Sequence, residues 1–401
     1  MKVRDFWWCD GSKTNNWAAV CGGGVGVAVL HYGTEDEIEE ILPVLNKGME
    51  HYIDAFNDDG CCLEGYSYWN YGFGYYLLYA MAVRDYSKGK IDMLKSEKVK
   101  RIALFPQRIR MGKSKIVSFS DGGNSFTFSP GMFSLLKKLY GNEVVYPPVE
   151  YATLQGNVYS IKELLWFDTE YKEYENKFLT TFFNSSQWYI KQGKKYSFAA
   201  KGGNNDEPHN HNDIGSFMIV TDDDIPLVDL GCAIYRKETF DPRYRYTLLN
   251  NGSQGHSVPI INGEYQQDGV EYKAENVKAG EDFFELDIEG AYEKGLCKRI
   301  NRRFELQEKS VILRDTFEYS DKTEDITERF VSLVKPEIYQ DYVDLKTAKI
   351  VYDNEKYSVS ISEDSYRNHA DTEDVTVYLI DFKGINKGEF KVEILLSDKV
   401  V

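Results

Sequence analysis

No run of apolar residues in this 401-residue chain approaches the roughly 20 that a membrane-spanning helix needs. Positive charge is in deficit. Lys and Arg total 48 against 64 Asp and Glu, for a net charge of -16. That balance argues against nucleic acid, whose phosphates demand an extended basic surface, and a polyanionic partner would need a local basic pocket. The six cysteines (Cys9, Cys21, Cys61, Cys62, Cys232, Cys297) form no CxxC pair, and the adjacent Cys61 and Cys62 make an awkward disulfide. Neither a zinc knuckle nor a disulfide framework is suggested, and the thiols read as mostly free. The opening Met-Lys-Val-Arg-Asp-Phe-Trp-Trp has no apolar segment of a secretory signal, which leaves the cytoplasm or an exported protein lacking its N-terminus. Internal repeats and low-complexity stretches are also missing.

What remains is a soluble composition, 42% hydrophobic and 28% charged, on a chain long enough for two domains. Aromatic residues are abundant at 14%, with 30 Tyr and 22 Phe. Such side chains stack on sugar rings, although aromatic-rich strands account for them equally well. Residues 1–168 read as helical. Asp36 to Ile53 sets Ile38, Ile41, Leu42, Leu45 and Met49 on one face with Pro43 as a kink, and Tyr66 to Val83 is apolar on most sides. Shorter helices are predicted at Gly131 to Tyr140 and Tyr159 to Phe167. From Thr169 the pattern changes to short alternating runs separated by turn residues, such as TTFFNSS, QWYIKQ, RINRRFELQ and SVILRDTFEY, which argue for an antiparallel sandwich over residues 169–401.

Three groups of residues can carry chemistry. Of only six histidines, His209, His211 and His256 fall close together, with Asp229 between them. Two imidazoles and a carboxylate suit zinc, and the same spacing also fits hydrogen-bonded histidines in a polar loop. The second group is Asn15-Asn16-Trp17 followed by Glu64-Gly-Tyr-Ser-Tyr68-Trp-Asn-Tyr71-Gly. Amides can bind a carboxylate and a phenol can pass a proton, while a buried Tyr-rich helix after a polar turn gives the same sequence. The third is Tyr235-Arg236 with Arg243-Tyr-Arg245-Tyr246, a basic and phenolic patch suited to carboxylate or sulfate, or a solvated loop with incidental ion pairs. Lys201, Arg108 and Arg110 are further candidates for such anions.

Taken together, His209-Asn-His211-Asn-Asp-Ile-Gly-Ser-Phe217, Val228-Asp-Leu-Gly231, Arg243-Tyr-Arg-Tyr246, and His256 ahead of Pro259-Ile-Ile-Asn-Gly263 resemble the heparinase II/III-like polysaccharide lyases and their alginate-lyase kin. Asn15-Asn16-Trp17 and Glu64 to Gly72 look like motifs of that family's helical domain, in the expected order. The resemblance implies an α+β multidomain fold: an α/α toroid over 1–168, incomplete at its N-terminus, docked on an antiparallel β-sandwich, with the active site in the cleft between. It implies β-elimination at a uronic acid, in glycosaminoglycan, alginate or another uronan. His209 matches the catalytic histidine, and Tyr71, with Tyr68 second, the toroid tyrosine. Asn16 is implied as a catalytic amide, and Tyr246 matches a tyrosine contributed by the sandwich. Asn15, Trp17, Glu64, Arg243 and Arg245 are implied in substrate binding. His211, Asp229 and His256 match the ligands of a structural zinc ion. The partner implied is an acidic polysaccharide or oligosaccharide. Two alternatives stand beside this reading: a catalytically inactive carbohydrate-binding relative, and a metal-dependent glycan hydrolase built on His209, His211 and Asp229.

Overall fold

The structure is a computed structural model that describes residues 7–11, 16–153, 160–169, 178–222, 224–368, 373–385 and 388–397. The chain forms two compact units: Met1–Arg108 with Thr127–Asn176, and Ile109–Phe126 with Lys177–Val401. Residues 109–126, from the half of the sequence read as helical, pack with the strands.

The first unit contains helices α1 (Trp7–Asp10), α2 (Asn16–Tyr32), α3 (Glu35–Asp54), α4 (Tyr66–Tyr86), α5 (Glu97–Ala103), α6 (Phe105–Arg108), α7 (Pro130–Tyr140) and α8 (Ser160–Trp166). A capping box starts α3. The Thr34 hydroxyl accepts from the Glu37 amide at 3.3 Å, and the Glu37 carboxylate accepts from the Thr34 amide at 2.8 Å. The helix buries Ile38, Leu45 and Met49, and it runs unbroken through Pro43, which lies on its exposed side. In α4 the rings of Trp69, Phe73 and Tyr76 are buried and stacked at 5.5 and 5.6 Å, and the Trp69 indole donates to the Ile102 carbonyl. Its Tyr68, Tyr71 and Tyr75 share a half-buried stripe, three and four residues apart.

Sequence periodicity gave no sign of α2, whose Asn-Trp-Ala-Ala-Val-Cys-Gly-Gly-Gly-Val-Gly-Val-Ala-Val-Leu-His-Tyr carries no charged residue and no polar face. Its glycines serve close packing. A Cβ at Gly23 would sit 2.9 Å from the Tyr75 carbonyl, and one at Gly26 would sit 2.2 Å from the Tyr79 ring. Tertiary contact with α4 thus overrides a composition that disfavours helix.

The second unit is built of antiparallel sheets of five, eight, four and two strands. The five-stranded sheet runs Thr180–Phe183, Trp188–Gln192, Ser197–Lys201, Phe217–Thr221, Asp224–Leu227. Its core is aromatic: Phe304 lies 5.0 Å from Phe198 and 5.1 Å from Phe217, which lies 5.5 Å from Phe330. Strand Arg299–Leu306 alternates, with Ile300, Arg302, Phe304 and Leu306 buried. That period places a guanidinium inside the sandwich. Arg302 donates to Asp315 at 2.5 Å and to Glu328 at 2.7 Å, all three fully buried. Its remaining nitrogen donates to the carbonyls of Gly215 at 3.0 Å and Ser257 at 2.8 Å. One positive charge faces two carboxyls. Burial first, and then the neighbouring Asp315 charge, push the Glu328 carboxyl well up.

Candidate functional site

The histidine cluster is assembled by three stretches of the second unit, residues 118–122, 205–216 and 228–257. The first is a tight turn docked on the third. Ser118 donates to the Asp229 carbonyl at 2.7 Å, and the Cys232 amide donates to the Gly122 carbonyl at 3.0 Å. Gly231, at φ +61°, lies so close that a Cβ there would meet the Gly122 oxygen at 2.1 Å. Ser120 and His209 are both non-glycine residues in the left-handed region, at φ +58°. Such conformations cost about 1–3 kcal/mol each and persist where surrounding packing enforces them.

These two strained positions bring Asp121 to His209. The carboxylate is 2.5 Å from His209 Nδ1 and 3.2 Å from His211 Nε2, and it accepts from the Tyr235 hydroxyl at 3.0 Å. Burial alone would raise the Asp121 carboxyl, but the hydrogen bonds from His209 and His211 outweigh it and hold the group well below the usual carboxylate range. Arg245 clamps the same loop. Two of its nitrogens donate to the Asn210 carbonyl and a third donates to that of Thr239.

Behind this lies a fully buried group. The His256 Nδ1 is 3.0 Å from Asp229 Oδ2, its Nε2 is 3.0 Å from the Asn250 carbonyl, and its ring centre is 5.4 Å from that of His211. Asp213 adds a carboxylate, 2.8 Å from the buried Lys201 ammonium. Ligand atoms of His211, Asp213 and His256 all lie within 4.8 Å of one another. Asp213 thus joins the two histidines in this set, while Asp229, the carboxylate of the sequence reading, lies against His256 Nδ1.

The residues fit a metal ion on an observation independent of the resemblance. Each Nε2 already faces an oxygen acceptor, Asp121 for His211 and Asn250 for His256, which directs both Nδ1 lone pairs inward. The Nδ1 of His211 is buried with no hydrogen-bond partner among the described residues. A proton or a metal ion must stand between His256 Nδ1 and Asp229. Without metal, burial of His256 is outweighed by the Asp229 charge and its hydrogen bond, and the imidazole pKa is raised. Histidines oriented by a carboxylate or a carbonyl on the far nitrogen are the usual arrangement at zinc.

The other expected residues fall out as follows. In the first unit, Asn16 opens α2 and donates to the Tyr68 carbonyl of α4 at 3.2 Å. Its side-chain oxygen lies against Gly72, where a Cβ would meet it at 2.2 Å. The amide is thus seated against the α4 backbone at Tyr68 and Gly72, and the Tyr71 ring meets Tyr75 edge-on at 5.6 Å. Trp17 is exposed and Glu64 half-buried before α4, while Asn15 lies outside the described residues. In the second unit, Tyr246 is half-buried under the Arg245 guanidinium. Three of the cations read as anion-binding candidates are engaged within the protein. Arg245 spends its donors on backbone carbonyls, and Lys201 is fully buried between Asp213 and Glu207. Arg110 is likewise buried, over the Phe126 ring. Arg243 is exposed and paired with Asp241 at 2.7 Å.

Sequence reasoning missed Asp121, Asp213 and the contact made by Tyr235. Asp213 stood inside the histidine motif. Tyr235 belongs to the basic and phenolic patch, whose spacing carries no sign of this contact. Asp121 sits in Ser-Asp-Gly-Gly, and nothing local ties it to histidines 88 and 90 residues away.

No family model matches the chain, and no curated protein matches its sequence. Solved structures do. Over 94% of its length the chain superposes on heparan sulfate lyase HepC from Pedobacter heparinus, with a TM-score of 0.68 and 12% identity. A heparinase III structure matches over 95% with a TM-score of 0.65 and 14% identity. The chain spans 59% and 60% of those two proteins. The likeness at this identity is one of fold: the chain is built like the heparan sulfate lyases, the group its sequence motifs resemble.

Proposed function

We propose that the protein is a polysaccharide lyase that cleaves a uronic-acid-containing chain by β-elimination. The observation that carries this reading is the burial of the histidine cluster. The His209 side chain is 26% exposed, whereas those of His211, Asp229 and His256 are fully buried. On this reading the partly exposed imidazole exchanges protons with substrate, and its buried neighbours would hold the metal.

In the reaction proposed, an amide such as Asn16 binds the uronate carboxylate and acidifies the C5 proton. A phenolate on the α4 stripe, Tyr71 first and Tyr68 second, takes that proton. The C4–O bond breaks, a C4–C5 double bond forms, and His209 gives a proton to the departing oxygen. Zinc bound by His211, His256 and a carboxylate would tie the two histidine-bearing loops together. The α/α toroid expected over the first unit belongs to the same reading. Its support is the fold of the heparan sulfate lyases, which leaves the polymer open among glycosaminoglycan, alginate and other uronans.

The test is a panel of uronic polysaccharides followed by the ultraviolet absorbance of the unsaturated uronate. Product should form with the parent, and His209→Ala and Tyr71→Phe should lower turnover about 100-fold or more. New reducing ends without that absorbance would favour hydrolysis instead. Oligosaccharide binding without any turnover would favour an inactive relative.

A further inference from the structure

We propose that Asp121 is a positioning residue that serves both histidines at once, fixing the tautomer of His209 while orienting His211; the inference rests on the lyase reading for the reaction it serves. Four observations converge. The carboxylate is 99% buried and accepts from three donors, His209 Nδ1, His211 Nε2 and the Tyr235 hydroxyl, at 2.5, 3.2 and 3.0 Å. It reaches them from a turn with left-handed Ser120 on one side of it, and it meets another left-handed residue, His209. The turn is anchored to residues 229–232 by Ser118 and Gly122, so the carboxylate has little freedom to retreat. Arg245, whose nearest nitrogen is 4.0 Å from Asp121, holds the carbonyl of Asn210, the residue between the two histidines.

The chemical consequence is a choice of tautomer. An ionised carboxylate only accepts, so a nitrogen 2.5 Å from it carries the proton. His209 is therefore protonated on Nδ1, and proton exchange with a substrate falls to Nε2. The same argument places a proton on His211 Nε2 and turns its Nδ1 lone pair inward. One side chain thus links the group that handles protons to the group that would hold metal. The sequence offers no hint of this, because the carboxylate comes from the half of the chain that is otherwise helical.

A competing assignment uses the same atoms. The Tyr235 hydroxyl is 3.4 Å from His209 Nδ1 and could donate to it, leaving that nitrogen unprotonated. Imidazole-labelled protein separates the two, since only six histidines contribute. In a long-range proton–nitrogen correlation, the His209 signal, assigned by its loss in His209→Ala, should show a protonated Nδ1 with a far-downfield proton. Asp121→Asn should abolish that proton and lower kcat about 10²- to 10⁴-fold with KM changed less than about threefold. Tyr235→Phe leaves the Asp121 bond in place, so the downfield proton should persist. It also decides the matter if Asp121→Asn does not fold. The proposal is overturned if Nδ1 proves unprotonated in the parent, if Tyr235→Phe removes the proton, or if a folded Asp121→Asn keeps both the signal and kcat. A parent that eliminates no uronan would end the lyase reading, while the imidazole spectra would still decide the role of Asp121.

Discussion

Replacing Arg302 by methionine should destabilise the second unit more than any change at its surface. The guanidinium makes a bidentate contact with Asp315, a second contact with Glu328, and two bonds to the Gly215 and Ser257 carbonyls, all buried. Methionine fills much of the volume and removes every donor. Leaving one partner of a buried ion pair costs about 3–5 kcal/mol, and each orphaned carbonyl costs about 1–3 kcal/mol. Burial already raises the Glu328 carboxyl and weakens its claim on the guanidinium, so the total should fall near 5 kcal/mol rather than at the sum of the upper limits. For a unit of this size, about 2–4 °C is lost per kcal/mol, giving a fall of roughly 10–20 °C in Tm. Scanning calorimetry of the parent and Arg302→Met measures it directly. A fall of less than about 3 °C would refute the reasoning, because it would mean that the buried carboxyls and carbonyls find other partners at little cost. The Gly215 and Ser257 carbonyls lie beside the two histidine-bearing stretches, so activity should decline at temperatures where the fold survives.

The same network predicts a pH dependence. The Glu328 carboxyl is raised in the folded state, which therefore holds a proton that the unfolded chain releases. Stability falls as pH rises from about 4.5 upward through that window. Glu328→Gln, a neutral isostere of the protonated acid, should flatten this decline in Tm measured from about pH 5 to about pH 8, and an unchanged slope would assign it elsewhere. For the metal, chelation should lower Tm and release zinc measurable by mass spectrometry. His211→Ala and His256→Ala should empty the site and His209→Ala should leave it filled. Asp213→Asn and Asp229→Asn then identify the carboxylate ligand by which one loses metal. Retention of zinc in both histidine variants would move the site away from this cluster.

Much of this protein was legible in its sequence because the signals are local. The one-sided apolar spacing of α3 marks a helix wherever it occurs, and the alternation in Arg299–Leu306 marks a strand with one buried face. The motif around His209 and His211 named the cluster and the group of lyases whose fold the chain shares. Tertiary structure alone decided three things. Helix α2 has no amphipathic period, and its Gly23 and Gly26 gain their purpose from the close approach of α4. Lys201 and Arg245 look in sequence like cations awaiting an anionic polymer. The fold buries one against Asp213 and spends the other on backbone carbonyls. Asp121 is a carboxylate in a glycine turn until packing carries residues 109–126 onto the strands. Spacing can align side chains a turn or a pleat apart, but the choice of partner for a charge 88 residues away is made by which elements bury one another.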